Sequence, residues 1–140
     1  MNRLFATFMA LGIGVCGLAL YAAQGDQPVN ARVFELRTYH AAPGKMKALQ
    51  ARFRDHTGKI FEKHHMTVIG FWNPTNPDEA QQTLVYLLAF PSQEAATNSW
   101  KEFQNDPDWK AVKEASEKDG KLVEKIESVF LSPTDYSPLK

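Results

Sequence analysis

The chain has 140 residues, a length that suits one domain rather than two. Hydrophobic residues make up 44% and aromatic residues 11%, enough for a packed core and against disorder throughout. Lys+Arg and Asp+Glu both count 16, so the formal net charge is zero and no basic excess points to nucleic acid as a partner.

The N-terminal segment differs in kind from the rest. Met1-Asn2-Arg3 supplies a positive end, Leu4 to Leu20 is apolar or small apart from Thr7, and no further charge appears before Asp26. That pattern predicts a signal peptide over residues 1–25, with Ala23-Gln24-Gly25 offering small residues for cleavage after Gly25. The alternative is a tether through residues 4–20, since about 17 apolar residues lies near the lower limit for spanning a bilayer. Either way the protein is expected to be exported, periplasmic or extracellular, and to meet a membrane only through this segment. Val15 stands before Cys16, where lipidation needs a small residue, so no lipid anchor is expected. Loss of the signal would remove the only cysteine and with it disulfides, thiol nucleophiles and thiolate metal sites. No metal site is expected.

Residues 26–30 read as a polar linker containing Pro28, and residues 31–139 as the domain. Arg32 to Tyr39 alternates, with Phe34, Leu36 and Thr38 on one face and Val33, Glu35, Arg37 and Tyr39 on the other, which predicts a strand. Ala42-Pro43-Gly44 ends it. Met46, Leu49, Phe53, Thr57, Ile60 and His64 then recur in helical steps, with lysines and arginines between them. Met66 to Trp72 reads as a second strand and Asn73 to Asp78 as a loop. Thr83 to Phe90 is nearly continuous apolar, the pattern of a central strand covered on both faces. Ser92 caps a helix through Phe103, and Asp106-Pro107-Asp108 restarts helix with a cap, an N1 proline and an acid at the positive end of the dipole. Lys125 to Leu131 is the last strand, and Ser132 to Lys140 a tail.

The order βαββαβ predicts an α+β, ferredoxin-like domain. Two helices cover only one face of a four-stranded sheet. The other face is expected to carry Val33, Arg37 and Tyr39 with either Val85 and Leu87 or Tyr86 and Leu88, a patch too apolar to leave in water. Pairing with a second copy would cover it and enclose a cavity between sheet and partner, so a homodimer is expected.

Several segments now carry a family likeness. They are Phe34-Glu35-Leu36-Arg37-Thr38-Tyr39, Pro43-Gly44-Lys45, Gly70-Phe71-Trp72, Leu84-Val85-Tyr86-Leu87 and Ser92-Gln93-Glu94-Ala95-Ala96. Ser99-Trp100, Phe103, Asp106-Pro107, Trp109 and Phe130-Leu131-Ser132-Pro133 continue the series. In order and spacing they resemble a NIPSNAP-family domain over residues 31–139. The resemblance implies the dimeric α+β barrel superfamily, whose members include antibiotic-biosynthesis monooxygenases and haem-degrading enzymes; it implies no general reaction. One departure is His65, where the family often has the glycine that ends the first helix.

The candidate site residues follow from these placements. Arg37 could hold an anion, Tyr39 could donate a proton, and His64 could shuttle one or serve as an axial haem ligand. Glu35, Trp72, Tyr86 and Trp100 are the candidate ligand contacts. Against each stands a plainer role: Glu35 pairing with Arg37, the aromatics as core, and His64 in the helix dipole. His56 and His64 lie about 12 Å apart along a helix, too far to share a metal unaided. No cofactor is expected apart from that haem reading. Three functions compete: a binding protein for a small apolar or anionic ligand, a monooxygenase-like or isomerase-like enzyme using Arg37, Tyr39 and His64, and a structural dimerisation module. Convergence of Arg37, Tyr39 and a histidine on one cavity would favour the enzyme.

Overall fold

The computed structural model describes residues 32–140. The signal-peptide or tether segment, Cys16 and the linker lie outside the described residues. Strand β1 (Val33–Ala41) leads into α1 (Met46–Arg52), which runs through a π-helical turn (Phe53–Thr57) into α2 (Gly58–Lys63). Strand β2 (Thr67–Trp72), the short helix α3 (Pro77–Ala80) and strand β3 (Thr83–Phe90) follow. Helices α4 (Gln93–Asn105) and α5 (Pro107–Glu117) precede β4 (Val123–Leu131). The sheet is antiparallel in the order β2-β3-β1-β4.

Local chemistry sets the boundaries. The Ser92 hydroxyl accepts from the Ala95 amide at 3.0 Å and opens α4. Asp106 Oδ1 accepts from the Asp108 and Trp109 amides at 2.7 and 3.4 Å and opens α5 behind Pro107. Asn76 does the same before Pro77, at 3.0 Å from the Asp78 amide, and makes α3 where the sequence read as loop. A cap followed by an N1 proline is a helix start at both places, and only length distinguishes them. At the end of α2, Met66 N donates to Phe61 O at 3.0 Å and His65 N to Glu62 O at 3.1 Å. That is the Schellman pattern, and its left-handed position is filled by His65 at φ 59° in place of glycine.

Glu35, Arg37 and Tyr39 face the helices, not open water. Cross-strand pairing sets them beside Leu88, Tyr86 and Leu84 of β3, and Tyr39 meets the Phe53 ring of the π turn edge-on at 5.6 Å. The expectation that Val33, Arg37 and Tyr39 lie on the bare face is therefore corrected. Alternation separates two faces without saying which one the helices cover. Here the face whose charges find partners among the helices is the inner one. Leu49, Phe61, Leu88 and Tyr86 are fully buried between the layers, the leucines and the phenylalanine each contributing about 1.5–3 kcal/mol by removal from water.

The outer face carries Leu36, Val85, Leu87, Val129 and Leu131, with Thr38 and Glu127 among them. Among the described residues no helix covers β3 on that side, and Val85 and Leu87 are only half-buried, so its apolar run reflects one packed face and one open apolar face. Trp72, 49% exposed, also lies on this side and folds over Gly70, where an added Cβ would stand 2.8 Å from the indole.

Candidate functional site

Glu35 sits on a central strand and is 2% exposed. Its carboxylate accepts from Arg37 Nη1 at 2.9 Å, Trp100 Nε1 at 2.5 Å and Ser128 Oγ at 2.6 Å. A buried charge persists when it is paired and hydrogen-bonded, and this one is both. The arrangement also joins β1 to β4 and to α4. The Arg37 guanidinium stacks over Trp100, 4.1 Å from the ring centre, and lies 5.7 Å from that of Tyr39. Burial works against its charge, but Tyr86, Tyr39 and Glu35 outweigh that and hold Arg37 above its ordinary pKa.

A second arginine repeats the motif. Arg52, with only 4% of its side chain exposed, donates to Glu117 Oε1 at 3.0 Å and Ser116 Oγ at 3.3 Å. Its guanidinium carbon lies 5.2 Å from the Trp109 ring centre. Arg52 stands three residues after Leu49 and six after Met46, at the margin of the apolar stripe, which is the signal that could have singled it out. The π turn begins at the next residue, and the Thr57 hydroxyl donates back to Arg52 O at 3.2 Å. Such turns recur at functional positions in helices.

Between these two arginines, α4, α5 and β4 lies a cleft of about 530 Å³. Tyr39, Trp100, Phe103, Trp109, Val123 and Ile126 wall it, and Lys113, Lys121, Glu117 and Glu124 are its other charged residues. The Nε atoms of Arg37 and Arg52 are both buried without a hydrogen-bond partner. The Tyr86 hydroxyl is buried as well, and its ring centre lies 5.3 Å from that of Tyr39. Burial first, then the nearby Tyr39, hold Tyr86 well above the ordinary tyrosine pKa.

The candidate residues thus separate. Arg37, Tyr39 and Trp100 line the cleft, Glu35 anchors them, and Tyr86 lies beneath in the core. Trp72 is on the opposite face of the sheet. His64 is elsewhere: its Nε2 lies 2.5 Å from Asp106 Oδ2, and its ring meets Phe103 edge-on at 6.4 Å. Lys63 Nζ reaches the same Asp106 oxygen at 2.8 Å and Asp108 at 2.8 Å. The hydrogen bond from Lys63, then that from His64, holds the Asp106 carboxyl far below the usual range. This network pins the end of α2 to the α4–α5 junction. No histidine lines the cleft, and the Nε2 that a haem iron would need on His64 is engaged, so these residues do not fit axial haem ligation here. Among the described residues no group of three or more His, Cys, Asp or Glu could hold a metal ion, and no helix is long and apolar enough to cross a membrane.

Fold and cleft define an α+β domain of ferredoxin-like topology with a charged, aromatic-walled pocket under its helices. The chain belongs to the NIPSNAP family, whose model matches residues 34–138. An uncharacterised NIPSNAP domain protein from Burkholderia xenovorans is 23% identical, with a TM-score of 0.64 over 76% of this chain and 98% of that one. A NIPSNAP family protein of unknown function from Agrobacterium tumefaciens is 22% identical, with a TM-score of 0.68 over 79% and 96%. A second from the same organism is 22% identical, with a TM-score of 0.67 over 78% and 99%. At these identities the likeness is one of fold. No curated protein matches the chain.

Proposed function

We propose that this NIPSNAP-family protein is exported, works as a homodimer and binds a small ligand with an apolar body. The observation that carries the ligand reading is the cleft itself. Aromatic rings wall a space of about 530 Å³, within the usual range of small-molecule sites, and the guanidinium groups of Arg37 and Arg52 lie on its margin. The ligand site lies between sheet and helices, within one protomer, rather than between sheet and partner.

Dimer formation is supported by the open sheet face. Leu36, Val85, Leu87, Trp72, Val129 and Leu131 form a contiguous apolar surface, and a second copy laid on it would build the two-sheet barrel. Export is supported by the N-terminal sequence pattern alone. Arg37 and Tyr39 meet at the cleft without His64, so no observation favours a catalytic trio over binding.

The test is a ligand-screen thermal shift on protein purified from cells expressing the full chain, with light scattering on the same sample. A ligand of the cleft raises the melting temperature with the logarithm of its concentration above Kd, and Trp100→Ala abolishes the shift. Absence of any concentration-dependent shift across apolar, aromatic and anionic compounds refutes the binding reading. A stable monomer at micromolar concentration refutes the dimer.

A further inference from the structure

We infer that the cleft takes a monoanionic carboxylic acid with an apolar or aromatic body, its carboxylate accepting hydrogen bonds from the guanidinium groups of Arg37 and Arg52. This rests on the reading of the cleft as a ligand site and narrows it to one chemical class.

The charge balance carries the argument. Arg37 is neutralised by Glu35 at 2.9 Å and Arg52 by Glu117 at 3.0 Å. What remains on the lining is Lys113 and Lys121 against Glu124, two positive charges less one negative. One net positive charge matches one negative charge on a ligand. A phosphate dianion would exceed it while lying near three carboxylates, and a cation would face the two arginines.

Hydrogen-bond geometry agrees. Both arginines already spend Nη1 on glutamate and a face on tryptophan, so what each still offers is the pair of Nη2 hydrogens. Those are donors only, and a carboxylate is an acceptor only. A neutral amide of the same shape would bring only an uncharged acceptor to the two guanidinium groups. Charge-assisted bonds in a partly buried site are also the stronger kind. Phe103, Val123 and Ile126 give the body of the ligand apolar contact, with the Tyr39 hydroxyl and the Gln104 amide as neutral polar groups beside it.

The experiment uses matched pairs of one skeleton: 2-naphthoate and 2-naphthamide, octanoate and octanamide, and naphthyl phosphate, titrated calorimetrically into protein from the full chain. The acids are expected to bind roughly ten-fold or more tightly than their amides, as charged hydrogen bonds dictate. Their affinity should fall as salt is raised. Lys113→Gln with Lys121→Gln, both on the cleft rim, should weaken the acids several-fold and leave the amides unchanged. Arg52→Lys keeps the charge, removes the planar guanidinium fork and should weaken the acids; should it fail to fold, the lysine pair carries the test. Equal affinity of acid and amide overturns this inference and leaves the ligand site standing. Tighter binding of the phosphate overturns it in the same way. No binding by any member overturns the site reading as well.

Discussion

Removing the Glu35 carboxylate should cost this domain a large part of its stability. The group is 2% exposed and accepts hydrogen bonds from Arg37, Trp100 and Ser128, which belong to β1, α4 and β4. Glu35→Ala leaves the Arg37 guanidinium without its counter-charge and two more donors without an acceptor. Breaking one side of a buried pair typically costs about 3–5 kcal/mol. A domain of this size has on the order of 5–15 kcal/mol in total, so the variant should sit close to unfolding at ordinary temperature. Glu35→Gln keeps an acceptor oxygen and should lose less, about 1.5–3 kcal/mol, the range for hydrogen bonds to charged groups. Urea unfolding followed by tryptophan fluorescence measures both, since Trp100 is itself a partner. A double-mutant cycle with Arg37→Met should recover coupling, because the methionine variant no longer needs the carboxylate. A Glu35→Ala loss below about 1 kcal/mol, the range of an exposed ion pair, would show the carboxylate to be solvated and would refute its role as the anchor of the cleft.

Other outcomes follow from the same geometry. His65→Gly should stabilise by roughly 0.5–1 kcal/mol, since a histidine at φ 59° pays the left-handed cost that glycine avoids while glycine loses more chain entropy. Thermal melting reads this directly, and an unchanged or lower midpoint counts against the Schellman geometry. Asp106 has a depressed pKa in the folded state, so the stability it supplies is present above the ordinary carboxylate pKa of about 4 and is lost as pH falls below it. The melting temperature of the native protein should therefore drop more steeply between pH 5 and 2 than that of Asp106→Asn; parallel curves would contradict the Lys63–Asp106–His64 network. Leu87→Arg puts a charge in the middle of the open sheet face and should yield a folded monomer by light scattering and circular dichroism. A persisting dimer would place the contact elsewhere.

How much of this was legible in the sequence depends on how far apart the partners lie. Residue periodicity and caps announced nearly every element, because a helix stripe, a β alternation or an Asp-Pro start is decided within a few positions of the chain. The family likeness was legible in the same way, from ordered short segments. The cleft was harder. Arg37, Tyr39 and Trp100 were read as candidates, yet Arg52 passed as one of the solvated cations of the first helix, and nothing near it in sequence announces Glu117 or Trp109. Their encounter spans some sixty residues and exists only when α5 lies across α1. His64 shows the converse: its place at a helix end suggested chemistry, and packing gave it to Asp106.

Composition and pattern by themselves determined that this chain makes a four-stranded α+β domain, with an apolar N-terminal segment before it. Only the tertiary structure decided which sheet face the helices cover, and hence that Glu35 and Arg37 lie inside while Leu36, Val85 and Leu87 face out. The physical reason is that a period of two is symmetric between faces. The tie is broken by partners that are distant in sequence, here the indole of Trp100 and the hydroxyl of Ser128, which satisfy a buried charge on one face and not on the other.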